Sequence, residues 1–374
     1  MHFISDVGAL VPPIVLAFAA AAVAAFLLTP LVRRLVVHQG MVDHPEARRV
    51  NVVAVPRAGG LAVAAAFLAV GGAFLWINER TAIVPAPIFL TSGHVAALLL
   101  GGAGAAALGA IDDYFNLRAR WQLLIQVGLA SGAVALGITI SSINNPLAPG
   151  LIRFDGFFAA GFTVFWIVGM MNSINWIDGL DGLSSGIAVI AAVTLGVISL
   201  TTQVGQPLIA ILCFAMAGAL LGFLPWNFHP ATIFPGTSGV QFIGFTLAVL
   251  SIMGEAKVAV ALLVLGVPII DTFFIIVRRI WERRSPFTPD RSHIHHRMLD
   301  LGLSHRRTVI LIYGICVLLA VLALLLSGIN QLYAFLGVFV IFGLALFVPT
   351  RGELRAEELE AASYEEADPE PRGT

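Results

Sequence analysis

Apolar stretches close to bilayer length divide this chain from end to end, and they constrain its fold more than any other feature. A transmembrane helix takes about 20 predominantly apolar residues. Read on that scale, candidate spans run near 12–31, 58–77, 93–110, 121–138, 156–172, 183–201, 207–223, 239–253, 257–277, 309–327 and 331–348. Of the 374 residues, 58% are hydrophobic and 11% charged, against roughly 25% charged in soluble domains. The expected fold class is therefore all-α, a polytopic membrane helix bundle of about 11 transmembrane helices. Small residues crowd several spans, as in Gly101-Gly102-Ala103-Gly104, a pattern that lets membrane helices approach closely. The first apolar run is too long for a signal-peptide core and lacks a basic leader, so it is expected to remain as the first span.

Basic residues orient this bundle. The connections 32–57, 111–120, 173–182, 224–238 and 278–308, with the C-terminal tail, hold 18 of the 21 Lys and Arg residues; only Arg80, Arg153 and Lys257 fall on the other side. The positive-inside rule places the first side in the cytoplasm, with the N-terminus outside and the C-terminus inside. One span more or fewer in the middle would scatter the arginines over both faces. Residues 1–349 thus read as a membrane domain with cytoplasmic loops. Residues 350–374, which carry eight of the 22 acidic residues, read as an acidic, disordered cytoplasmic tail. Cys213 and Cys316 lie in apolar runs without metal or disulfide spacing and are expected to be small buried residues.

Every unusual polar cluster falls on the expected cytoplasmic side. Asp112-Asp113 closes the third span, where the helix end already carries partial negative charge. A divalent cation would offset that repulsion, and Mg²⁺ favours oxygen ligands; the plain alternative is a solvated loop start with Arg118 and Arg120 as counter-charges. Asn172, Asn175, Asp178 and Asp181 follow within ten residues. Asp181 or Ser184 could cap the next helix, but capping leaves Asn172, Asn175 and Asp178 unexplained. A glycine-rich run, Gly222 to Gly239, suits close backbone approach to phosphate, and equally suits turns. Asp290, Arg291, His293, His295 and His296 populate the longest cytoplasmic loop. No zinc-finger spacing accompanies the histidines, and the positive-inside rule accounts for the arginines without nucleic acid. Asp271, inside the ninth span, is either functional or an ion pair or cap where Pro268 loosens the helix.

The order and spacing of these residues resemble the polyprenyl-phosphate N-acetylhexosamine-1-phosphate transferases over nearly the whole chain. Asp43-x-Pro45-x-x-Arg48-Arg49 with Pro56-Arg57-x-Gly59-Gly60 looks like the family's first cytoplasmic loop. Asp112-Asp113-x-x-x-Leu117 with Gln126 resembles the second motif, and Asn172-x-x-Asn175-x-x-Asp178-Gly-Leu-Asp181-Gly-Leu matches the third in full. Gly222-Phe-Leu, Asn227, Pro230-Ala231 and Phe234-x-Gly236 resemble the fourth; Ser285-Pro-Phe and Asp290-Arg291-x-His293-x-His295-His296 resemble the fifth, in its N-acetylglucosamine form.

The resemblance implies transfer of N-acetylhexosamine 1-phosphate from a UDP-sugar to undecaprenyl phosphate, with UMP released. The setting implied is the bacterial cytoplasmic (inner) membrane, and the product the first lipid-linked sugar of a cell-surface polysaccharide or teichoic-acid-like polymer. The implied partners are UDP-N-acetylhexosamine, undecaprenyl phosphate and the lipid bilayer, with a homodimer as a further expectation; the implied cofactor is Mg²⁺, with Mn²⁺ as the alternative. Catalytic roles fall to Asp112, Asp113, Asp178, His293, His295 and His296, and substrate binding to Arg57, Asn172, Asp181, Asn227 and Arg291. The implied metal set is Asp112, Asp113, Asn175 and Thr237. This chain departs from the family pattern at Thr237, where a metal-binding Asp is usual, and at Val240, Asn51 and Gln122, where Ser, His and Lys are usual. Thr237 leaves a second reading open, a silenced relative that binds UDP-sugar or lipid phosphate. A transporter would place its polar sites near the midplane, with repeats, and neither is found here.

Overall fold

A computed structural model describes residues 7–43, 54–85, 90–145, 150–202, 204–254, 258–283, 285, 293–326 and 329–347; the acidic tail lies outside them. In chain order the elements are α1 (Val7–His38), β1 (Val42–Asp43), β2 (Val55–Pro56), α2 (Gly60–Thr81), α3 (Ser92–Phe115), α4 (Ala119–Ala135), β3 (Ser142–Asn144), β4 (Leu151–Arg153), α5 (Gly156–Ile177), α6 (Leu183–Ser199), α7 (Pro207–Asn227), α8 (Gly236–Met253), α9 (Val258–Val264), α10 (Gly266–Trp281), α11 (Ile294–Asp300), α12 (His305–Leu325) and α13 (Ile329–Phe347). Each apolar stretch of the sequence overlaps a helix. Seven of them, α1, α2, α3, α5, α7, α8 and α12, are long and apolar enough to cross a membrane. The chain is a polytopic helical membrane protein.

The stretch 257–277 is two helices, α9 and α10, rather than one. Pro268 has no N–H to give to the carbonyl four residues back, at Val264, where α9 ends. The purely helical expectation also needs amending by two small antiparallel ladders, β1 with β2 and β3 with β4. The first matters for the site: it pairs Asp43 with Val55, and the next residue but one, Arg57, donates its N–H to Met41 O at 3.0 Å. Asp43 and Arg57 thereby lie on the same face of one ladder, two positions apart in register.

At the centre stand α7, wrapped by α1, α2 and α6, and α8, wrapped by α2, α3 and α5. Large apolar side chains such as Leu16, Leu27, Phe157 and Phe165 are exposed on the outer helices, as lipid-facing surfaces require. Lipid tails are as apolar as the helices, so association depends on close packing rather than on a hydrophobic drive. Glycine supplies it at the point that builds the site. A Cβ on Gly60 would overlap Gly239, and one on Gly109 would overlap the backbone of Thr237 and Ser238. Helices α2 and α3 therefore meet the first turns of α8 backbone to backbone.

Candidate active site

Helix ends from six elements open onto one cleft of about 290 Å³. Four carboxylates line it: Asp43 from β1, Asp113 from the end of α3, and Asp178 and Asp181 from the turn between α5 and α6. Around them stand Arg57, Asn175, Asn227, Thr237, His296 and His305. Among the described residues the lining holds four acids and a single arginine, a set rich in the oxygen donors that a hard cation takes.

Asp113 is 2% exposed, and the start of α8 holds it. Its Oδ1 accepts the Thr237 N–H at 2.9 Å and its Oδ2 the Ser238 N–H at 3.0 Å. These are N–H groups left unpaired at a helix start, at the positive end of the macrodipole. Gly236 makes room: it has a φ of +68°, and a Cβ there would sit 2.7 Å from Asp113 Oδ2. Asp112 points elsewhere, because successive residues on a helix differ by about 100° in direction. Its Oδ1 accepts from Leu117 N at 2.8 Å and Gln122 Nε2 at 2.7 Å, and it is not among the residues lining the cleft. The two adjacent acids read together in the sequence thus have separate surroundings.

The loop of the third motif is shorter than the sequence suggested. Asn172 and Asn175 belong to the last turns of α5, and only Asp178–Gly182 form the turn. Burial, reinforced by Asp113 and Asp181 nearby, raises the Asp178 carboxyl to about 7, against the opposing pull of the Ser184 hydroxyl that donates to it. The N-cap of α6 is Gly182, with φ +80°, and no side chain caps it. Asp181 instead reaches across to the next loop, accepting from Ala231 N at 3.0 Å and pairing with His229 Nδ1 at 2.8 Å. The Asp181 N–H donates to His305 Nε2 at 2.9 Å, and Arg306 donates to His229 O at 3.0 Å.

Asp181, His229 and His305 bring metal-ligating atoms within 4.8 Å of one another. Their geometry is nevertheless that of a latch. The two imidazoles stack at 4.2 Å and 21°, so their in-plane lone pairs run side by side instead of converging, and their hydrogen bonds already use Asp181. The latch ties the first turn of α12 to both loops of the cleft.

Of the three motif histidines, His296 lines the cleft. His295 is buried against Gly179, and neither ring nitrogen has a hydrogen-bond partner among the described residues. Burial, with the neighbouring His296, His293 and His305, holds it well below the usual histidine range, so it is neutral. His293 is not among the lining residues and is bonded to Asp271. Asn172 lies behind the cleft, donating to Gln126 Oε1 at 2.8 Å, and Gln126 in turn donates to Gln241 at 3.0 Å. Asn227 lines the cleft with its amide engaged, accepting from the Ser185 hydroxyl at 2.8 Å and donating to Ile233 O at 3.2 Å. Arg57 donates to Asn116 Oδ1 at 2.9 Å from the cleft edge. Arg291 and Asn51 lie outside the described residues. Asp43 and His305 were not assigned to the site from sequence; the acid at the head of the first motif was the available signal for Asp43, and His305 had none beyond preceding an apolar run.

A membrane helix bundle with carboxylates, amides and imidazoles gathered at its helix ends defines a class of membrane protein with a site for a charged, hydrogen-bonding ligand. The glycosyl transferase family 4 model matches residues 95–255. A Bacillus subtilis (strain 168) protein named "Probable undecaprenyl-phosphate N-acetylglucosaminyl 1-phosphate transferase" is 37% identical over 348 residues, covering 91% of this chain and 92% of that one. A Mycobacterium tuberculosis (strain CDC 1551 / Oshkosh) decaprenyl-phosphate N-acetylglucosaminephosphotransferase is 33% identical, with 88% and 87% covered. A Yersinia pestis undecaprenyl-phosphate alpha-N-acetylglucosaminyl 1-phosphate transferase is 29% identical, with 78% and 79% covered. The chain belongs to the polyprenyl-phosphate N-acetylhexosamine-1-phosphate transferases of glycosyl transferase family 4.

Proposed function

We propose that this protein transfers N-acetylglucosamine 1-phosphate from a UDP-sugar to undecaprenyl phosphate at the cytoplasmic face of a bacterial inner membrane, as the first membrane step of a cell-surface polymer. The bundle then crosses the membrane eleven times, with its N-terminus outside and its C-terminus inside, as the arginine distribution directs. The observation that carries the reading is the convergence of Asp43, Asp113, Asp178 and Asp181 with Arg57 in one cleft at the helix ends. A lipid phosphate anchored in the bilayer reaches that depth while a nucleotide enters from water.

An oxygen of the lipid phosphate bonds to the sugar-bearing phosphorus, the bond from that phosphorus to the bridging oxygen breaks, and UMP departs. Such transfer depends mainly on positioning and charge neutralisation. The oxygen donors of Asp113, Asp178, Asn175 and Thr237 line the same cleft, and that donor set fits Mg²⁺ or Mn²⁺. When bound, the cation supplies charge neutralisation for the pyrophosphate. Arg57 draws the phosphates in, and His296 faces them. A carboxylate of the cleft lining would keep the lipid phosphate in its attacking, fully ionised form. Purified protein given undecaprenyl phosphate, UDP-N-acetylglucosamine and Mg²⁺ is expected to release one UMP for each lipid-linked sugar formed. Nucleotide binding without UMP release would favour the silenced relative, the reading that Thr237 supports.

The Asp178 carboxyl also gives a test that needs no turnover. Its folded value of about 7 lies above the ordinary 3.8, so between these values the folded state holds a proton that the unfolded state has lost. Stability of the cation-free protein therefore falls as pH rises from about 4 to about 7 and levels off above. Asp178→Asn is expected to flatten that slope; thermal unfolding in chelator at about pH 5 and about pH 8 measures it. An equal slope in both proteins would remove Asp178 as its source.

A further inference from the structure

We infer that Asp271 is a positioning residue that sets the histidine segment over the cleft from within a membrane helix. The consequence for catalysis rests on the transferase reading above, while the geometry does not. Asp271 lies in α10 and is 2% exposed, beside buried Ile270 and Ile275. A carboxylate in such surroundings persists only when its oxygens are bonded. Oδ2 meets His293 Nδ1 at 2.7 Å, and Oδ1 accepts the Ile294 N–H at 2.9 Å. One carboxylate thus fixes both the residue preceding α11 and its first helical N–H. No side chain caps that seven-residue helix locally, so Asp271 takes the role from 23 positions away.

The consequence propagates by direct contact. With Nδ1 turned to the carboxylate, the His293 ring keeps a proton on Nδ1, the orientation effect that acids impose on histidines behind a site. His293 meets Trp176, at the end of α5, in a T-shaped contact with ring centroids 6.5 Å apart. His293 stacks on His295 at 5.4 Å and 18°, and His295 lies 4.4 Å from His296. His295 packs on the backbone of Gly179, in the turn that holds Asp178 and Asp181. Asp271 therefore sets both the depth of α11 and the direction from which His296 enters the cleft, without reaching the cleft itself.

Asp271→Asn is the informative change, because the amide oxygen still accepts the Ile294 N–H while the amide NH2 now faces His293 Nδ1 and demands the opposite, Nε2-protonated tautomer. We expect kcat for UMP release to fall about tenfold, the usual scale for a group acting through a histidine. KM for the UDP-sugar should stay within about twofold, and hydrogen exchange across 293–300 should match the native protein. Asp271→Ala should in addition speed exchange in that segment. The second measurement is the ¹⁵N spectrum of histidine-labelled protein in detergent, with His293 assigned through His293→Gln. An Nδ1-protonated His293 in the native protein that becomes Nε2-protonated in Asp271→Asn is the expected result. Identical His293 signals in both proteins overturn the inference whether or not the protein turns over. Altered signals with unchanged kcat overturn its catalytic half, and absence of UMP release from the native protein counts against the transferase reading alone.

Discussion

Asp113→Asn is expected to lower UMP release on the order of 10²–10³-fold, the scale of losing one preorganised electrostatic contact in a water-poor site. The fold should survive, because one amide oxygen can still accept from the start of α8. The amide nitrogen, however, must face the N–H of either Thr237 or Ser238, both of which now donate to Asp113 oxygens. The variant also removes one of four carboxylates from the cleft lining. Asp112→Asn is the internal comparison. Asp112 accepts from Leu117 and Gln122 away from the cleft, so that variant should cost about 1 kcal/mol of stability and leave the rate within about threefold, less than 1 kcal/mol of barrier. UMP release and thermal unfolding on both variants decide the matter. Equal loss of rate in the two would mean that Asp112 acts inside the site and that the separation of the acids described above is wrong.

That pair of aspartates marks where the sequence stops being legible. The helices were readable because bilayer-length apolar runs admit little else, and the third motif gave Asn175, Asp178 and Asp181 as cleft residues directly. Which of two adjacent acids faces the cleft depends on where α8 begins, 124 residues away, and no local pattern encodes that. The break between α9 and α10 had its signal in Pro268, which the hydropathy of the whole stretch concealed. Asp271 could be functional or a cap by sequence; the structure makes it the cap of α11 as well as the partner of His293, joining the two alternatives. His229, His305 and Arg306 carried no motif of their own, since their roles come from three loops meeting. Asn172 resembled its neighbour Asn175, but it lies one turn deeper along α5 and joins Gln126 and Gln241 behind the cleft.

Thr237→Asp is expected to lower the Mg²⁺ concentration for half-maximal UMP release roughly tenfold, since affinity for hard cations follows the charge of the ligand set. Thr237 lines the cleft, and its N–H is already bonded to Asp113, so an acid here places a second carboxylate beside the first. In chelator the two charges repel, and the variant should melt below the native protein; added Mg²⁺ should reverse the order. A neutral hydroxyl offers a weaker contact, so the native protein is expected to turn over with a higher Mg²⁺ requirement, with Asp113 and Asp178 supplying the charge. Mg²⁺ titrations of UMP release and of melting temperature on both proteins measure these effects together. A native protein silent at every Mg²⁺ concentration, with turnover appearing only in Thr237→Asp, would overturn the active transferase in favour of a silenced relative. Turnover in both with the same Mg²⁺ requirement would instead mean that position 237 does not contact the cation, and that the start of α8 contributes only the backbone N–H groups that hold Asp113.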